Sequence, residues 1–323
     1  LGADLYLGPI YTWGTIGGRT DFYMWKPVFL DYSYNFAVRN FRHGSFGNIT
    51  KIDNTRQVKN SESFFSVAAG MPLAHRGVFL IRANGGHVNY RYDSDELFAD
   101  DTDHSRYSFF GIKAELARNT LDKFLYPRRG SDLKLSGIFV TGRDKYEPFD
   151  AEKFLSRTSR QWVGARLTWD KYFDMPGCSW FSLGLNVDGV ITNHPEFTTE
   201  GATVMSMPAY EPVPHAQMIY MPDFRGKRFA AGGVMPTFDL MPNFFLRTGF
   251  YAMFREKRSF VPGVSGPVED KRWHYIAEAS LVYHTPIGPV SLALTKYDLR
   301  NWKNMYLTFN FGYAIFAPKG TFY

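Results

Sequence analysis

The stretch "MYLTFNFGYAIF", residues 305–316, decides the fold. It alternates throughout: apolar or aromatic side chains stand at every second position, at Leu307, Phe309, Phe311, Tyr313 and Ile315. The residues between them are small or polar. Successive side chains of a strand point to opposite faces, so the pattern predicts a strand with one dry face and one wet face. The dry face must contact either a packed core or lipid.

The composition favours lipid. The chain is 18% aromatic, yet 21% of its residues are charged. A sheet with a lipid face and a wet face accounts for this combination better than a buried core does. No run of 18 apolar residues occurs, so the sequence predicts no transmembrane helix. The single cysteine, Cys178, cannot build a disulfide framework or a zinc cluster.

The net charge of +6 raises two classes of partner, nucleic acid and anionic lipid. The basic residues are scattered and interleaved with carboxylates, as in "REKRSF" at 255–260. The sequence contains no Lys/Arg tract of the kind that binds nucleic acid. We therefore expect a solvated surface of mixed charge and no nucleic-acid partner.

Alternating segments of about ten residues recur along the whole chain, and ten residues is the span of a tilted transmembrane strand. The pattern predicts an all-β fold, a transmembrane antiparallel barrel with about 14 strands in this chain. The predicted cores are 3–12, 18–25, 28–40, 61–71, 77–92, 106–117, 130–142, 161–173, 178–192, 227–236, 243–255, 272–284, 288–298 and 304–317.

The connections between these segments alternate in length. Short ones carry Pro or Gly, as tight turns do, near 25 and at 71–77, 173–178, 238–243 and 284–288. Long polar ones lie at 41–60, 93–105, 143–160, 193–226 and 256–271. Short turns at one end and long loops at the other are typical of outer-membrane barrels and not of soluble sandwiches.

The turn between the sixth and seventh predicted strands resembles a known family. "NTLDKFLYPRRGSDLKLSG", 119–137, is similar to a periplasmic turn of the outer-membrane protein 85 superfamily, in which an Asp precedes an aromatic–Pro–x–x–Gly turn. The matching residues are Asp122, Tyr126, Pro127 and Gly130. In that superfamily the turn joins strands eight and nine of sixteen. The resemblance therefore implies two further strands before Leu1 and 16 strands in the complete protein.

The long connection 193–226 corresponds to the inward-folded sixth loop of that superfamily, which carries a Val/Ile-Arg-Gly-Tyr/Phe motif. Here the matching place reads "DFRGKRF", so Arg225 and Gly226 match and Lys227 replaces the aromatic residue. The resemblance implies that Arg225 enters the lumen and pairs with an inward carboxylate. Glu278 is the first candidate for this partner and Asp188 the second.

The C-terminal part is similar to the barrel of patatin-like phospholipase proteins of Bacteroidota. The similarity is carried by "YHTPIGPVSLALTKYD", 283–298, and by "LTFNFGYAIF", 307–316. Those proteins carry a signal peptide, a patatin hydrolase domain and a small periplasmic domain before the barrel. The resemblance implies that residues 1–323 form a single outer-membrane barrel domain, with the other domains upstream of Leu1.

The chain itself offers no convincing catalytic motif. "GVSGP", 263–267, has Pro267 where a Gly-x-Ser-x-Gly nucleophile elbow needs its second glycine. The histidines lie mostly in loops, and no pair has metal-ligand spacing. We expect no cofactor and no metal, and whether the complete protein is an enzyme stays open.

Two functions therefore remain at this point. The barrel either anchors an upstream patatin-like lipid acyl hydrolase, with or without translocating it, or serves assembly, secretion or porin-type transport without an enzymatic domain. In both cases we expect an integral protein of the bacterial outer membrane. Its expected partners are outer-membrane lipid, the barrel-assembly machinery during biogenesis, and other outer-membrane or surface proteins.

Overall fold

The computed structural model describes residues 2–7, 11–23, 27–42, 57–93, 102–147, 156–175, 177–213, 216, 221–256, 272–286, 288–297 and 305–311. Fourteen strands within these ranges form one sheet, and each strand pairs antiparallel with its sequence neighbours. The strands are β1 Gly2–Leu7, β2 Tyr11–Tyr23, β3 Pro27–Arg42, β4 Gln57–Leu73, β5 Gly77–Asp93, β6 Thr102–Asn119, β7 Gly130–Glu147, β8 Ser156–Met175, β9 Cys178–Thr192, β10 Arg228–Met241, β11 Phe244–Arg255, β12 Trp273–Thr285, β13 Gly288–Tyr297 and β14 Met305–Phe311.

The sheet curls until distant strands touch. The Tyr126 hydroxyl, in the connection between β6 and β7, lies 2.9 Å from the Ser291 hydroxyl on β13. In a flat sheet with strands about 4.8 Å apart, β7 and β13 would be separated by roughly 29 Å. The contact therefore requires a barrel-like curvature, with the Tyr126 and Ser291 side chains on its concave side.

The predicted number of strands is confirmed, but the first two predicted strands, 3–12 and 18–25, have the wrong bounds. β1 ends at Leu7, and β2 already begins at Tyr11. Gly14 and Gly17, which separate the two predicted strands, lie inside β2, where the neighbouring strand comes close. A Cβ on Gly14 would lie 2.4 Å from the Phe36 ring, and one on Gly17 would lie 2.3 Å from the Tyr32 carbonyl oxygen.

The two faces of the strands separate as the alternation predicts. On β11, Phe250 is 45% exposed on the convex face, whereas Tyr251 is 1% exposed on the concave face. On β14, Leu307, Phe309 and Phe311 all face outward. Tyr313 and Ile315 lie outside the described residues. A band of large apolar side chains thus covers the convex surface, which only lipid or another protein can keep from water.

Five short connections, β2–β3, β4–β5, β8–β9, β10–β11 and β12–β13, lie at one end of the sheet, called the turn end here. Left-handed backbone at His75, Arg76 and Asn243 and positive φ at Gly177 produce these tight reversals. The opposite end is called the loop end. There β6, β7 and β8 run for 18, 18 and 20 residues, which exceeds the 9–11 residues or so that cross a bilayer.

Consequently, the predicted loops 93–105 and 143–160 are shorter than expected. The strands continue into them because the alternation of inward and outward side chains persists. Ser105 and Asp144 are buried, for example, whereas Arg143 is exposed, although the outward residues become polar. A sequence criterion based on apolar outward residues ends a strand too early in this region.

The face assignment of β14 can be tested with a pair of adjacent arginine substitutions. Phe309→Arg places a charge on the convex face at the centre of β14, and such a charge costs about 2–4 kcal/mol near the bilayer midplane. Asn310→Arg places the same charge on the concave face, where Asn310 donates to the Ser291 hydroxyl at 3.3 Å. We expect far less folded barrel for Phe309→Arg than for Asn310→Arg, measured by heat-modifiable gel mobility. Equal folded fractions would contradict the assignment.

Candidate functional site

Residues 193–227, called the lumen loop here, connect β9 to β10 and fold back onto the concave face. The loop contains a short helix, α1 Glu200–Ser206, which Thr199 caps by accepting a hydrogen bond from the Ala202 amide. Its apolar side chains are buried among those of the strands: Phe197, Ala202, Val204, Met205, Met207, Ala209, Tyr210, Val213, Ala216, Met221 and Phe224. The predicted inward fold of this loop is therefore what the structure has.

One half of the lumen loop is held by an aromatic cluster. The Phe197 ring lies 5.1 Å from the Tyr107 ring of β6 and 6.3 Å from the Trp162 ring of β8, between ring centroids. Its ring also lies 6.5 Å from that of Tyr90 on β5. The imidazole of His194 packs at a tilt against the Trp162 ring, with 4.6 Å between ring centroids. Burial of several large rings makes this contact the apolar anchor of the loop.

Polar contacts fix the loop to the next strands. The amide and the hydroxyl of Thr198 both donate to Asp144 of β7, at 3.1 and 3.0 Å. On β8, Arg166 donates to the Ala209 carbonyl at 3.2 Å and forms a two-point ion pair with Asp188 of β9. The Tyr210 hydroxyl donates to Asn186 at 2.7 Å. Strand charges thus serve as attachment points for the loop backbone.

The other half of the loop reaches the far wall. Phe224 packs edge-on against His274 of β12 and Tyr297 of β13, with centroid distances of 5.6 and 6.1 Å. The Arg255 guanidinium of β11 donates to the Asp223 carbonyl at 3.1 Å. From β5 to β13, the loop therefore crosses the interior of the barrel and closes it near the loop end.

Arg225 does not have the partner predicted for it. Its guanidinium donates to the carbonyls of Met205 and Met207, at 2.9 and 3.2 Å, and lies 4.0 Å from the Glu211 carboxylate. All three partners belong to the loop itself. The structure does not have the predicted Arg225–Glu278 pair: the Arg225 side chain, 12% exposed, holds the loop in its folded shape and does not tie it to β12.

The two candidate partners have other contacts. Glu278 accepts from the Ser280 hydroxyl on the same strand. Asp188 is engaged by Arg166, which itself binds the loop at Ala209. The link between loop and wall that the sequence assigned to Arg225 is thus made by Arg166. Glu211, the nearest carboxylate to Arg225, could have been found from sequence only by knowing that the loop turns back on itself.

Gly226 has a less specific place than the motif suggests. Its amide donates to the Pro208 carbonyl at 3.1 Å, beside the bridge between Ala209 and Arg225. A Cβ added there would meet its nearest neighbour, Arg255 Cβ, at 3.6 Å, which is an ordinary contact. No steric requirement for glycine exists at this position in the structure.

The turn at 120–129, between β6 and β7, closes the other end. Asp122 accepts from the amides of Arg128 and Arg129 at 2.9 and 3.1 Å, so its carboxylate shapes the turn. Gly130 has φ +100°, and a Cβ there would lie 2.2 Å from the Thr120 carbonyl oxygen. Of the four turn residues predicted from the resemblance, these two have a clear physical role in forming the turn.

Tyr126 carries the turn across the interior. It adopts left-handed backbone, φ 53°, and its buried ring packs edge-on against Phe245 of β11 at 6.2 Å. The hydroxyl donates to Ser291, and burial raises the pKa of the phenol, which keeps it a donor. Beside it, Pro127 is buried and Arg128 forms a 2.7 Å ion pair with Asp239 of β10. The turn thus forms a second closure at the turn end.

Charged side chains occupy the interior between the two closures. Arg247 of β11 is buried, with its guanidinium 5.5 Å from the Tyr126 ring centroid and 3.5 Å from the Tyr172 hydroxyl. On β6, Lys113 and Glu115 form an ion pair. A polar interior behind an apolar exterior is the distribution expected of a barrel with a wet lumen. The sequence did not predict the contacts of Arg247, because the alternation of side chains indicates only which face of the strand the residue occupies.

Within the described part of the lumen loop, His194 has a strongly altered acidity. Burial, followed by the charge of Lys227, lowers its pKa from 6.5 to about 3. The neutral imidazole is therefore the form that packs against Trp162. Protonation would place a charge within the aromatic cluster that anchors the loop.

The described residues contain no candidate metal centre, since no three His, Cys, Asp or Glu side chains there lie close enough to share an ion. His274 accepts a hydrogen bond from Arg255 at 3.1 Å and belongs to the wall. The segment "GVSGP" lies outside the described residues. The lumen loop and the turn are placed to close the two ends of the barrel interior.

Comparison with known proteins supports the fold. No protein-family model matches the chain, and no curated protein matches it. The crystal structure of BamA from Haemophilus ducreyi lacking POTRA domains 1–3 is similar, with a TM-score of 0.61 at 12% identity. The chain has the BamA-type barrel fold. Its fold is thus an all-β transmembrane barrel similar to that of BamA.

The match covers 93% of this chain, which spans 61% of that BamA chain. In the part of the chain that the structure describes, no helix is long and apolar enough to cross a bilayer.

The role of Arg225 can be separated from that of its predicted partner. Arg225→Ala removes two charge-assisted hydrogen bonds, each worth about 1.5–3 kcal/mol, and should loosen the lumen loop. We expect faster cleavage of the loop by protease in the folded barrel. Arg228→Ala, at an exposed neighbouring cation, is the matched control. Glu278→Gln should leave the cleavage rate unchanged, and an increase as large as that of Arg225→Ala would restore the original pairing.

The acidity of His194 predicts a pH-dependent stability. Because its folded pKa is below the ordinary value, the unfolded chain binds more protons between pH 6.5 and 3, and stability falls as pH decreases through that window. The slope is at most about 1.4 kcal/mol per pH unit. His194→Phe should flatten the dependence of the heat-modifiability midpoint between pH 7.5 and 5, whereas His75→Asn, in an exposed turn, should not. Parallel curves for wild type and His194→Phe would contradict this.

Proposed function

We propose that this chain is the integral barrel of an outer-membrane protein, and that it anchors a lipid acyl hydrolase domain of patatin type. The barrel holds its own lumen closed, with the lumen loop near one end and the Tyr126 turn at the other. The hydrolase precedes residue 1, and the turn end faces the compartment where that domain folds.

The observation that carries the proposal is the double closure. A porin needs an open lumen, whereas an anchor needs only a stable wall and a sealed interior. The lumen loop contacts strands from β5 to β13, and Tyr126 binds Ser291 across the interior. Both closures are therefore held by specific contacts with the barrel wall. This supports a barrel that does not conduct at rest.

The hydrolase part of the proposal rests on the resemblance of 283–298 and 307–316 to patatin-like phospholipase proteins. The second candidate is an assembly or secretion barrel without an enzymatic domain. The similarity to the BamA barrel, with its TM-score of 0.61, favours this alternative to the extent that shared fold reflects shared role.

The intact protein in washed outer membranes distinguishes the two. A fluorophosphonate probe, which labels activated serines, should label the intact protein but not the isolated chain of residues 1–323. The intact protein should also release fatty acid from fluorogenic phospholipid in vesicles, and the isolated barrel should not. Absence of both labelling and release in the intact protein would overturn the hydrolase and favour the assembly role.

The closed lumen is tested separately in planar bilayers. We expect the isolated barrel to conduct rarely, and a variant with residues 196–224 replaced by a short Gly-Ser linker to open large, long-lived channels. The matched control, Arg228→Ala, leaves the loop contacts intact and should stay closed. A continuous large conductance of the unaltered barrel would contradict the double closure and favour porin-type transport.

A further inference from the structure

The convex face of β4 to β8 changes character near the loop end. Up to Phe65, Phe110 and Phe139 it is apolar. Beyond these residues, each strand presents outward cations. They form the basic belt, defined as Lys59, Arg91, Arg106, Arg143, Lys145 and Arg157.

The belt lies at the depth of lipid headgroups. On β6, Arg106 lies four residues from Phe110 in the direction of the loop end, or about 13 Å along a tilted strand. On β7, Arg143 follows Phe139 by the same number. The polar layer of a bilayer leaflet begins where the hydrocarbon ends and is roughly 5–7 Å thick, and long basic side chains can bend back into it. The guanidinium groups are therefore within reach of lipid phosphates.

Strand register places like charges opposite one another. Arg106 is the cross-strand partner of Lys145, and Lys145 is the partner of Arg157, so three cations stand side by side on three strands. Like charges directly opposite each other destabilise a sheet. A bound anion would reverse that repulsion, and a row of cations spaced by about 4.8 Å suits one or more phosphates.

Among the described residues, few acidic side chains lie beside the belt. Glu147, which pairs with Lys145, is the one acid among the outward side chains of this region whose placement the structure describes. Arg106 acts electrostatically on this same carboxylate, and no ion pair within the described ranges holds Arg143 or Arg157. By contrast, Arg228, outward at the loop end of β10, lies 3.6 Å from Glu256. The concentration of unneutralised cations is therefore a property of the β4–β8 side.

We propose that the basic belt binds the phosphate groups of anionic lipids in the leaflet at the loop end. The occupant is lipid because the belt continues, on the same strands and in the same direction, the surface that Phe65, Phe110 and Phe139 present to hydrocarbon. A ligand there is held at once by apolar chains below and cations above. The attraction of anionic headgroups to clustered Lys and Arg supplies the selectivity.

The test measures lipid retention by native mass spectrometry of the folded barrel in detergent. Phosphatidylglycerol and phosphatidylcholine with identical acyl chains are offered at equal concentration. We expect the wild type to retain phosphatidylglycerol preferentially. The triple variant Arg106→Gln, Arg143→Gln and Arg157→Gln should weaken phosphatidylglycerol binding at least about tenfold and leave phosphatidylcholine unchanged.

The matched control removes three exposed or half-buried cations near the turn end, through Arg118→Gln, Lys123→Gln and Lys171→Gln. We expect it to change phosphatidylglycerol binding less than about twofold, because these positions are not clustered in register. The triple variant Arg106→Lys, Arg143→Lys and Arg157→Lys keeps the positive charge and should retain most of the affinity for phosphatidylglycerol. If the Gln triple fails to fold, Arg143→Gln alone should still lower the affinity by about two- to fivefold.

Three outcomes would overturn the proposal. Equal retention of phosphatidylglycerol by wild type and the Gln triple would show that the belt does not bind lipid, and would leave a protein partner as its occupant. Equal losses in the belt triple and the turn-end triple would reduce the effect to net charge. Displacement of phosphatidylglycerol by inorganic phosphate at equal concentration would identify a soluble-anion site instead.

Discussion

A bilayer contains no water to hydrogen-bond the peptide groups of a chain that crosses it, and everything else in this structure depends on that constraint. Each strand is therefore paired on both sides with its neighbours wherever it has two, from β1 to β14. Pairing with a consistent register sends alternate side chains to opposite faces, so the same constraint that builds the sheet also separates lipid-facing residues from interior ones.

Curling the sheet creates an interior that has to be filled, and this chain fills it with two connections. The lumen loop brings its own apolar core, and its backbone is held by strand charges such as Asp144 and Arg166. The turn contributes one ring, Tyr126, placed by left-handed backbone. Both closures contact β13, the lumen loop at Tyr297 near the loop end and the turn at Ser291 near the turn end.

The charges of the barrel divide into three groups with different physical roles. Inward charges such as Arg166 and Asp188 pair with each other on the concave face of the sheet, away from the apolar convex face. Loop charges such as Arg225 stabilise the loop itself. Among the outward cations of β4 to β8, Lys145 pairs with Glu147, and the position of the group at the edge of the apolar band makes the membrane surface its expected counterpart.

Local patterns in the sequence determined the all-β class, the number of strands, the faces of Phe309 and Asn310, and the positions of the turn and the lumen loop. These follow from period-two alternation and from turn residues, which act over a few positions. Only the tertiary structure decided that Arg225 binds its own loop while Arg166 binds it to the wall, and that Tyr126 reaches Ser291, 165 residues away. Alternation states which side of a strand a residue occupies, but the partner it meets there depends on how far the sheet curls and how deeply the loop descends.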